Sequence, residues 1–126
     1  MSYFIAFAGK GWTGKSSLAA LTVRYLKEKN ISPILAVDAD PNFCLPELLG
    51  ISTFETLAEV RDNALQKKPE GMSLDDWLEV EINRIVEESE GFDLLVMGRP
   101  EESGCYCAVN NVLKRILQEI SEQYNY

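Results

Sequence analysis

The stretch that most constrains what this chain can fold into reads Gly9-Lys10-Gly11-Trp12-Thr13-Gly14-Lys15-Ser16-Ser17. Its spacing satisfies the pattern G-x-x-x-x-G-K-[ST] in full. An apolar run over Tyr3–Ala8 precedes it, and a helical pattern over Ser16–Lys29 follows it. A strand, a glycine-rich turn and a helix, in this order, are the context in which the pattern forms a phosphate-binding loop. The alternative is a strand–helix turn that happens to contain glycines.

Such a loop binds phosphate through its backbone and through two side chains. Glycines let the N–H groups point inward toward an anion, and the dipole of the following helix adds positive charge. We expect Lys15 to reach the β- and γ-phosphates and the Ser16 hydroxyl to take one Mg²⁺ position. The expected cofactors are therefore ATP or ADP with Mg²⁺. The remaining cofactor contacts are expected from Gly9, Gly11, Trp12, Thr13, Gly14 and Ser17.

Lys10 places a second lysine inside the loop. A fixed cation there can act on the γ-phosphoryl group of a nucleotide bound to a partner subunit. The loop resembles the deviant Walker A loop of the MinD, ParA, ArsA and nitrogenase iron protein group of dimeric P-loop ATPases, which reads K-G-G-x-G-K-[ST]. This resemblance implies catalytic roles for Lys10 and Lys15. Trp12 replaces the family's second glycine, and its indole is expected to hinder the approach of a partner.

Composition and charge limit the class of protein. With 126 residues and 46% hydrophobic residues, the chain has the size of one globular domain. Its net charge of −8 argues against nucleic acid or an anionic membrane as a partner. Three cysteines do not form a disulfide framework, so the cytoplasm is the expected location. The chain has no histidine, which excludes Ser-His-Asp and Cys-His chemistry.

The order of apolar segments predicts an α/β fold: a parallel sheet of about three strands with flanking helices, similar to P-loop NTPases but incomplete. The predicted strands are Tyr3–Ala8, Pro33–Asp38 and Phe92–Met97. The predicted helices are Ser16–Lys29, a short turn at Leu45–Leu49, one opened by Ser52 and reaching Lys67, one from Ser73 to Glu87, and Ala108–Ser121. The inward stripe of the first helix is predicted to consist of Leu18, Leu21, Thr22, Tyr25 and Leu26.

Asp38 and Asp40 follow the second predicted strand, in the segment Asp38-Ala39-Asp40-Pro41-Asn42. Ligands of open α/β sheets bind beyond the carboxyl ends of the strands, so both carboxylates should face the phosphate loop. The alternative is that Asp38 ends the strand and Asp40 initiates a turn. The segment resembles the D-x-D-P segment of the same ATPase group. That resemblance implies that Asp40 positions the attacking water and that Asp38 supports Mg²⁺.

Cys105 and Cys107 form a Cys-x-Cys pair just before a predicted helix, where the helix dipole favours the thiolate form. A closed tetrahedral site needs four ligands, and two copies of this pair across a two-fold axis would supply them. We therefore expect a homodimer, or another form of self-association, with Cys44 as a weaker candidate third thiol. The alternatives are two small buried hydrophobic residues or an incidental disulfide.

Three motifs in order resemble the CooC-type maturation ATPases of carbon monoxide dehydrogenase. They are the segment from Asp38, the run Met97-Gly98-Arg99-Pro100-Glu101, and the run Gly104-Cys105-Tyr106-Cys107-Ala108. The resemblance implies that Cys105 and Cys107 bind nickel or zinc at a dimer interface. It also implies that ATP serves nickel insertion into apo-carbon monoxide dehydrogenase, the expected partner.

The resemblance covers the N-terminal half of such an ATPase, so we expect residues 1–126 to be the N-terminal portion of the domain. The Walker B aspartate would lie on the next strand, beside the phosphate-loop strand, and without that strand the sheet keeps an open apolar edge. Whether the chain hydrolyses ATP is therefore left open. Two alternatives remain: a nucleotide-binding half-domain that regulates or scaffolds a partner chain, and a ParA- or MinD-like ATPase.

Overall fold

The structure is a computed structural model that describes residues 2–11, 13–100 and 106–126. Helices flank a small sheet along these residues. The helices are α1 (Lys15–Glu28), α2 (Leu45–Leu48), α3 (Leu57–Lys67), α4 (Leu74–Ile85) and α5 (Tyr106–Ile120), and a 3₁₀ turn follows at Ser121–Gln123. The strands are β1 (Leu35–Asp38), β2 (Glu87–Ser89) and β3 (Phe92–Val96). The α/β class predicted from the sequence is confirmed.

The sheet has the strand order β1-β3-β2. β1 and β3 are parallel, with Leu35 opposite Asp93 and Asp38 opposite Val96, as the predicted strands require. β2 runs antiparallel to β3, so the sheet is mixed and not purely parallel. The hydrophobic pattern of the sequence does not predict β2, because the residues of this strand are polar and its burial is slight. The available signal was Glu90-Gly91, a two-residue hairpin connection in which Gly91 adopts a φ of 84°.

The predicted strand over Tyr3–Ala8 is wrong for this structure, since residues 2–9 pair with no strand in the described part of the chain. A β-strand is stable only when a neighbouring strand satisfies its backbone groups. Here the Tyr3 N–H donates to Asn125 O at 2.8 Å, while Phe4 and Ile5 remain 77% and 49% exposed. The segment is apolar, but no strand that could pair with it lies among the described residues.

Two apolar clusters lie on opposite faces of the sheet and give three layers. One packs α3, α4 and α5 against Leu95, which is fully buried. The other packs α1 and α2 against Leu94 and Val96. Side chains of successive strand residues point to opposite faces, so β3 contributes to both clusters. Burying each such side chain contributes about 1.5–3 kcal/mol.

The face that α1 buries differs from the predicted stripe. Val23 and Leu26 are buried against the sheet, whereas Leu18, Leu21 and Tyr25 are more than half exposed. The helical period alone allowed both faces, because α1 carries apolar residues on most of its circumference. No helix in the described part of the chain is both long enough and apolar enough to span a membrane.

The start of α3 is set by Thr56 and not by Ser52 as predicted. The Thr56 hydroxyl accepts the Glu59 N–H at 3.2 Å, and the Glu59 carboxylate accepts the Thr56 N–H at 2.8 Å, which completes a capping box. The predicted cap of α4 is confirmed, since Ser73 Oγ accepts the Asp76 N–H at 3.1 Å. Both Ser52 and Thr56 stand three residues before a glutamate, and the sequence pattern alone did not separate them.

Candidate functional site

The predicted phosphate loop leads directly into α1, as the motif requires. Gly14 is the N-cap residue of α1, with φ 81° and ψ 13°, a left-handed conformation that glycine adopts at little cost. No described side chain caps this helix end, so its first N–H groups remain available to an anion. The Thr13 hydroxyl donates to Lys10 O at 2.8 Å and closes the turn that precedes the helix.

Lys15 bends back across the loop that it terminates. Its ammonium donates to Gly9 O at 3.2 Å and lies 3.1 Å from Asp40 Oδ2. The two side chains of this ion pair are 28% and 26% exposed, so water reaches the pair only in part. The structure therefore brings together Lys15 and Asp40, two predicted site residues that are 25 positions apart in the sequence.

Asp40 is held by contacts on both of its carboxylate oxygens. Oδ1 accepts the Asn42 N–H at 2.9 Å, while Oδ2 faces the Lys15 ammonium. The Asn42 N–H and then the Lys15 ammonium lower the pKa of the Asp40 carboxyl below its ordinary value. Asp40 is therefore ionised at neutral pH and can orient a polar group that replaces the ammonium.

Asp38 is buried and holds the loop that follows β1. Its Oδ1 accepts the Asp40 N–H at 3.0 Å, and its Oδ2 accepts the Leu45 N–H at 3.0 Å. Burial raises the pKa of the Asp38 carboxyl, although both N–H groups act in the opposite direction. The structural alternative predicted for these aspartates also agrees with the loop: Asp38 ends β1, and Asp40 begins a turn. Support of Mg²⁺ by Asp38 stays a prediction.

The backbone N–H groups of Asn42 and Leu45, which fix the two carboxylates, are not among the site groups predicted from the sequence. A signal was present in the segment from Asp38 to Asn42. An aspartate side chain often accepts the N–H two residues further on, and two such turns occur here in succession.

A cavity of about 450 Å³ begins at these residues. Lys15, Ser16, Asp38 and Asp40 line one end, and the cavity continues between residues 3–7 and β1. Ser16 is half-buried in the first turn of α1 and lines the same cavity as the two aspartates. The loop residues Lys10, Gly11, Thr13, Gly14 and Ser17 are exposed to solvent.

The predicted metal pair is described only in part. Cys107 lies exposed in the first turn of α5, whereas Cys105, like Trp12 in the phosphate loop, lies outside the described residues. Cys44 is exposed beside the Asp40 turn, where its thiol donates to Asn42 O at 3.7 Å. Among the residues described, no three cysteine, aspartate or glutamate side chains form a cluster that could hold a metal ion. The thiol site stays a prediction.

Comparison with known proteins gives three relatives. The chain is 42% identical over 127 residues to a protein of Methanocaldococcus jannaschii named uncharacterized ATP-binding protein MJ0685, with 97% of this chain and 50% of the relative covered. It is 32% identical to a second protein of that organism, uncharacterized ATP-binding protein MJ0823, with 92% and 49% covered. It is 27% identical to the carbon monoxide dehydrogenase accessory protein CooC of Rhodospirillum rubrum, again with 92% and 49% covered.

The chain thus spans about half the length of the curated relatives it matches. No protein-family model matches it, and no solved structure matches it. The similarity to two proteins named for ATP binding extends along nearly the whole chain, and the fold agrees with a P-loop-like α/β arrangement.

Proposed function

We propose that this chain is a nucleotide-binding accessory protein that holds Mg·ATP or Mg·ADP at the loop Gly9–Ser17. The observation that carries the proposal is the Lys15 ammonium, held 3.1 Å from Asp40 Oδ2 beside a helix end that no described side chain caps. A bound phosphate would take the place of the Asp40 carboxylate as the anionic partner of Lys15. The names of the two Methanocaldococcus jannaschii relatives support the same ligand.

The residues present fit a nucleotide phosphate. A side-chain carbon added at Gly11 or Gly14 would meet nothing within 4 Å, so the loop surface is open where the phosphate oxygens should lie. We assign the Ser16 hydroxyl to Mg²⁺ and Asp38 to a water of that ion. Asp40, once released by Lys15, is placed to orient the attacking water if the bound nucleotide is hydrolysed. Lys10 is exposed, as a lysine that acts on a partner's nucleotide must be.

Calorimetric titration with Mg·ATP and Mg·ADP tests the proposal. Lys15→Ala should weaken binding by at least about tenfold, since a charged hydrogen bond contributes about 1.5–3 kcal/mol. The matched control is Lys29→Ala, which removes a lysine from the other end of α1. The proposal fails if wild-type protein binds neither nucleotide, or if the two variants bind with equal affinity.

The more specific proposal is that this nucleotide site serves metal insertion into apo-carbon monoxide dehydrogenase. Similarity to CooC supports it, as does the exposed position of Cys107 at the start of α5. In this proposal Cys105 and Cys107 of two copies bind one nickel or zinc ion and hold a homodimer together.

Titration with Ni²⁺ and Zn²⁺, with the mass in solution recorded, tests the thiol site separately. The double variant Cys105→Ser/Cys107→Ser should lose both metal binding and metal-dependent dimers, whereas Cys44→Ser should keep both. Equal metal affinity in the double variant and the wild type would remove the thiol site and leave the nucleotide site unaffected.

A further inference from the structure

We propose that the groove between α1 and α2 is a docking surface for an acidic amphipathic helix of a partner protein. This α1–α2 groove has a volume of about 610 Å³. Its apolar lining consists of Ala20, Leu21, Val23, Leu48, Leu49 and Phe92. The proposal concerns a second surface of the protein and does not depend on nucleotide binding.

The α1–α2 groove lies on the side of α1 that faces away from the cavity of about 450 Å³. Leu21 and Arg24 of α1 line the groove, whereas Lys15 and Thr22 line that cavity. Ser17 marks the end of the groove that is nearest to the predicted phosphate loop. An occupant of the groove would therefore leave Lys15 and its cavity free.

Two leucines, one on each helix, leave apolar surface exposed at the rim of the groove. Leu21 on α1 is 60% exposed, and Leu48 on α2 is 50% exposed. Phe92, the first residue of β3, is 5% exposed and forms part of the lining between them. Removing apolar surface from water is the main favourable term in protein association. The groove is therefore suited to apolar side chains of a partner.

The walls of the groove favour a helical occupant. Both walls are helices, whose backbone groups are bonded within the helix and are not available to an extended peptide. An occupant must therefore satisfy its own backbone groups, as a helix does. The α1 residues that border the groove run from Ser17 to Glu28. At 1.5 Å per residue they span about 17 Å, the length of about three turns of a partner helix.

Cations at the C-terminal end of α1 define the charge of the occupant. The Lys27 ammonium lies 5.2 Å from the centre of the Phe92 ring, and no carboxylate of the described residues forms an ion pair with it. Arg24 contacts Glu28 at 3.4 Å, in a pair whose side chains are 77% and 65% exposed. Such an exposed pair contributes little to stability, so Arg24 can exchange Glu28 for another carboxylate. Both cations are thus available to acidic residues of a partner.

The charge distribution of the chain supports an acidic partner. The segment from Arg24 to Lys29 has three basic residues and one acidic residue, whereas the whole chain has 12 basic and 20 acidic residues. The groove therefore has a locally basic rim on an acidic protein. An acidic helix is attracted to this rim and repelled by the chain as a whole, and this difference directs it to the groove.

The described helices of a second copy do not supply such an occupant. α4 has four acidic residues, but it buries Leu78, Ile82 and Ile85 in its own core. Its exposed apolar residues Leu74 and Val80 are six positions apart and lie on different faces of the helix. We therefore assign the groove to a different protein.

The experiment is a titration of a fluorescein-labelled peptide with the full chain, followed by anisotropy at physiological salt without nucleotide. The peptide is a helix of about three turns with leucines at positions i, i+3, i+4 and i+7 and glutamates on both sides of this stripe. A second peptide has lysines in place of the glutamates. We expect saturable binding of the glutamate peptide, at least about tenfold tighter than binding of the lysine peptide. The net charge of −8 by itself would give the opposite preference.

Three outcomes would overturn the proposal. They are the absence of saturable binding of the glutamate peptide, equal affinity for the two peptides, and displacement of the labelled peptide by dodecanoate as effectively as by unlabelled peptide. The last outcome would assign the groove to acyl ligands.

Two matched pairs of variants locate the contact. Lys27→Glu should weaken the glutamate peptide at least about tenfold and strengthen the lysine peptide, whereas Lys114→Glu makes the same change on α5 and should do neither. Leu21→Ala should weaken the glutamate peptide several-fold, whereas Leu74→Ala on α4 should not.

A gain in affinity for the lysine peptide also shows that Lys27→Glu is folded, because an unfolded variant would lose both peptides. Equal effects of the two charge variants, or of the two leucine variants, would place the peptide elsewhere and overturn the proposal. Because no nucleotide is present, these outcomes leave the ATP proposal to its own titration.

Discussion

Lys15 and Asp40 join the phosphate loop to the loop after β1 through an ion pair of 3.1 Å. The same lysine also donates to Gly9 O, so a single ammonium links the first residue of the motif to the second loop. Movement of Lys15 toward a phosphate would therefore break its ion pair with Asp40. Asp38 accepts the N–H groups of both Asp40 and Leu45, so it connects this carboxylate to the start of α2.

The Lys15–Asp40 pair should make stability depend on pH in a predictable direction. The folded protein holds the pKa of Asp40 below its ordinary value of 3.8. A lowered carboxyl pKa stabilises the fold fully above that ordinary value, and the contribution is lost as the pH falls through the lower, folded value. Asp40→Asn should therefore cost at most about 1 kcal/mol at neutral pH and progressively less in acid.

Urea unfolding of the wild type and of Asp40→Asn, from neutral pH to a pH below the ordinary Asp value of 3.8, measures the difference in their free energies of unfolding. Glu70→Gln, which removes one negative charge from an exposed turn, corrects for the change in net charge. A difference that stays constant from neutral to acid would show that the Asp40 charge does not stabilise this fold.

Asp38 should matter for the loop more than its single charge suggests. Asp38→Ala leaves the N–H groups of Asp40 and Leu45 without their acceptor, and the bond to Leu45 is buried. An unsatisfied buried donor costs about 1–3 kcal/mol, so we expect a loss of about 2 kcal/mol in unfolding free energy. Asp38→Asn keeps one acceptor oxygen and should lose less. Faster amide exchange at Leu45 in Asp38→Ala would show that the lost stability comes from this hydrogen bond. Identical unfolding free energies of Asp38→Ala and Asp38→Asn would contradict the prediction.

Thr56 should stabilise α3, and Ser52 should not. Thr56→Ala removes one half of the capping box at a position that is 5% exposed, with an expected cost of about 1 kcal/mol. Ser52→Ala is the matched control, because Ser52 stands in the same sequence pattern but lies outside the helix start. The denaturant midpoints of the two variants test this prediction. An equal loss of stability in both variants would contradict a specific capping role for Thr56.

Gly98 should be sensitive for two reasons that a control can separate. Its φ is 76°, and a side-chain carbon added there would overlap the side chain of Thr56. Gly71 has a φ of 82° but open space around it. Gly71→Ala should therefore show the backbone strain alone, about 1 kcal/mol, while Gly98→Ala should cost at least about 2 kcal/mol. Equal losses in thermal or urea unfolding would mean that the contact with Thr56 relaxes freely.

Local chemistry explains what could be predicted about the fold. The Ser73 cap, the helix after Gly14 and the buried strand before Asp38 depend on residues close together in the sequence, and the structure has all three. The start of α3 required more. Thr56 forms an isolated parallel β-bridge with Val96, and Ala58 N–H donates to Met97 O. These contacts with the end of β3 make Thr56, and not Ser52, the N-cap residue of α3.

The candidate site divides in the same way. The spacing of glycines, lysine and serine in residues 9–17 determined by itself that a phosphate loop could form, because each element of that motif is local. The tertiary structure alone decided that Lys15 meets Asp40 and that both oxygens of Asp38 serve the backbone. It also decided that the apolar segment Tyr3–Ala8 has no strand partner among the residues that the structure describes, because a strand depends on hydrogen bonds to a neighbour distant in sequence.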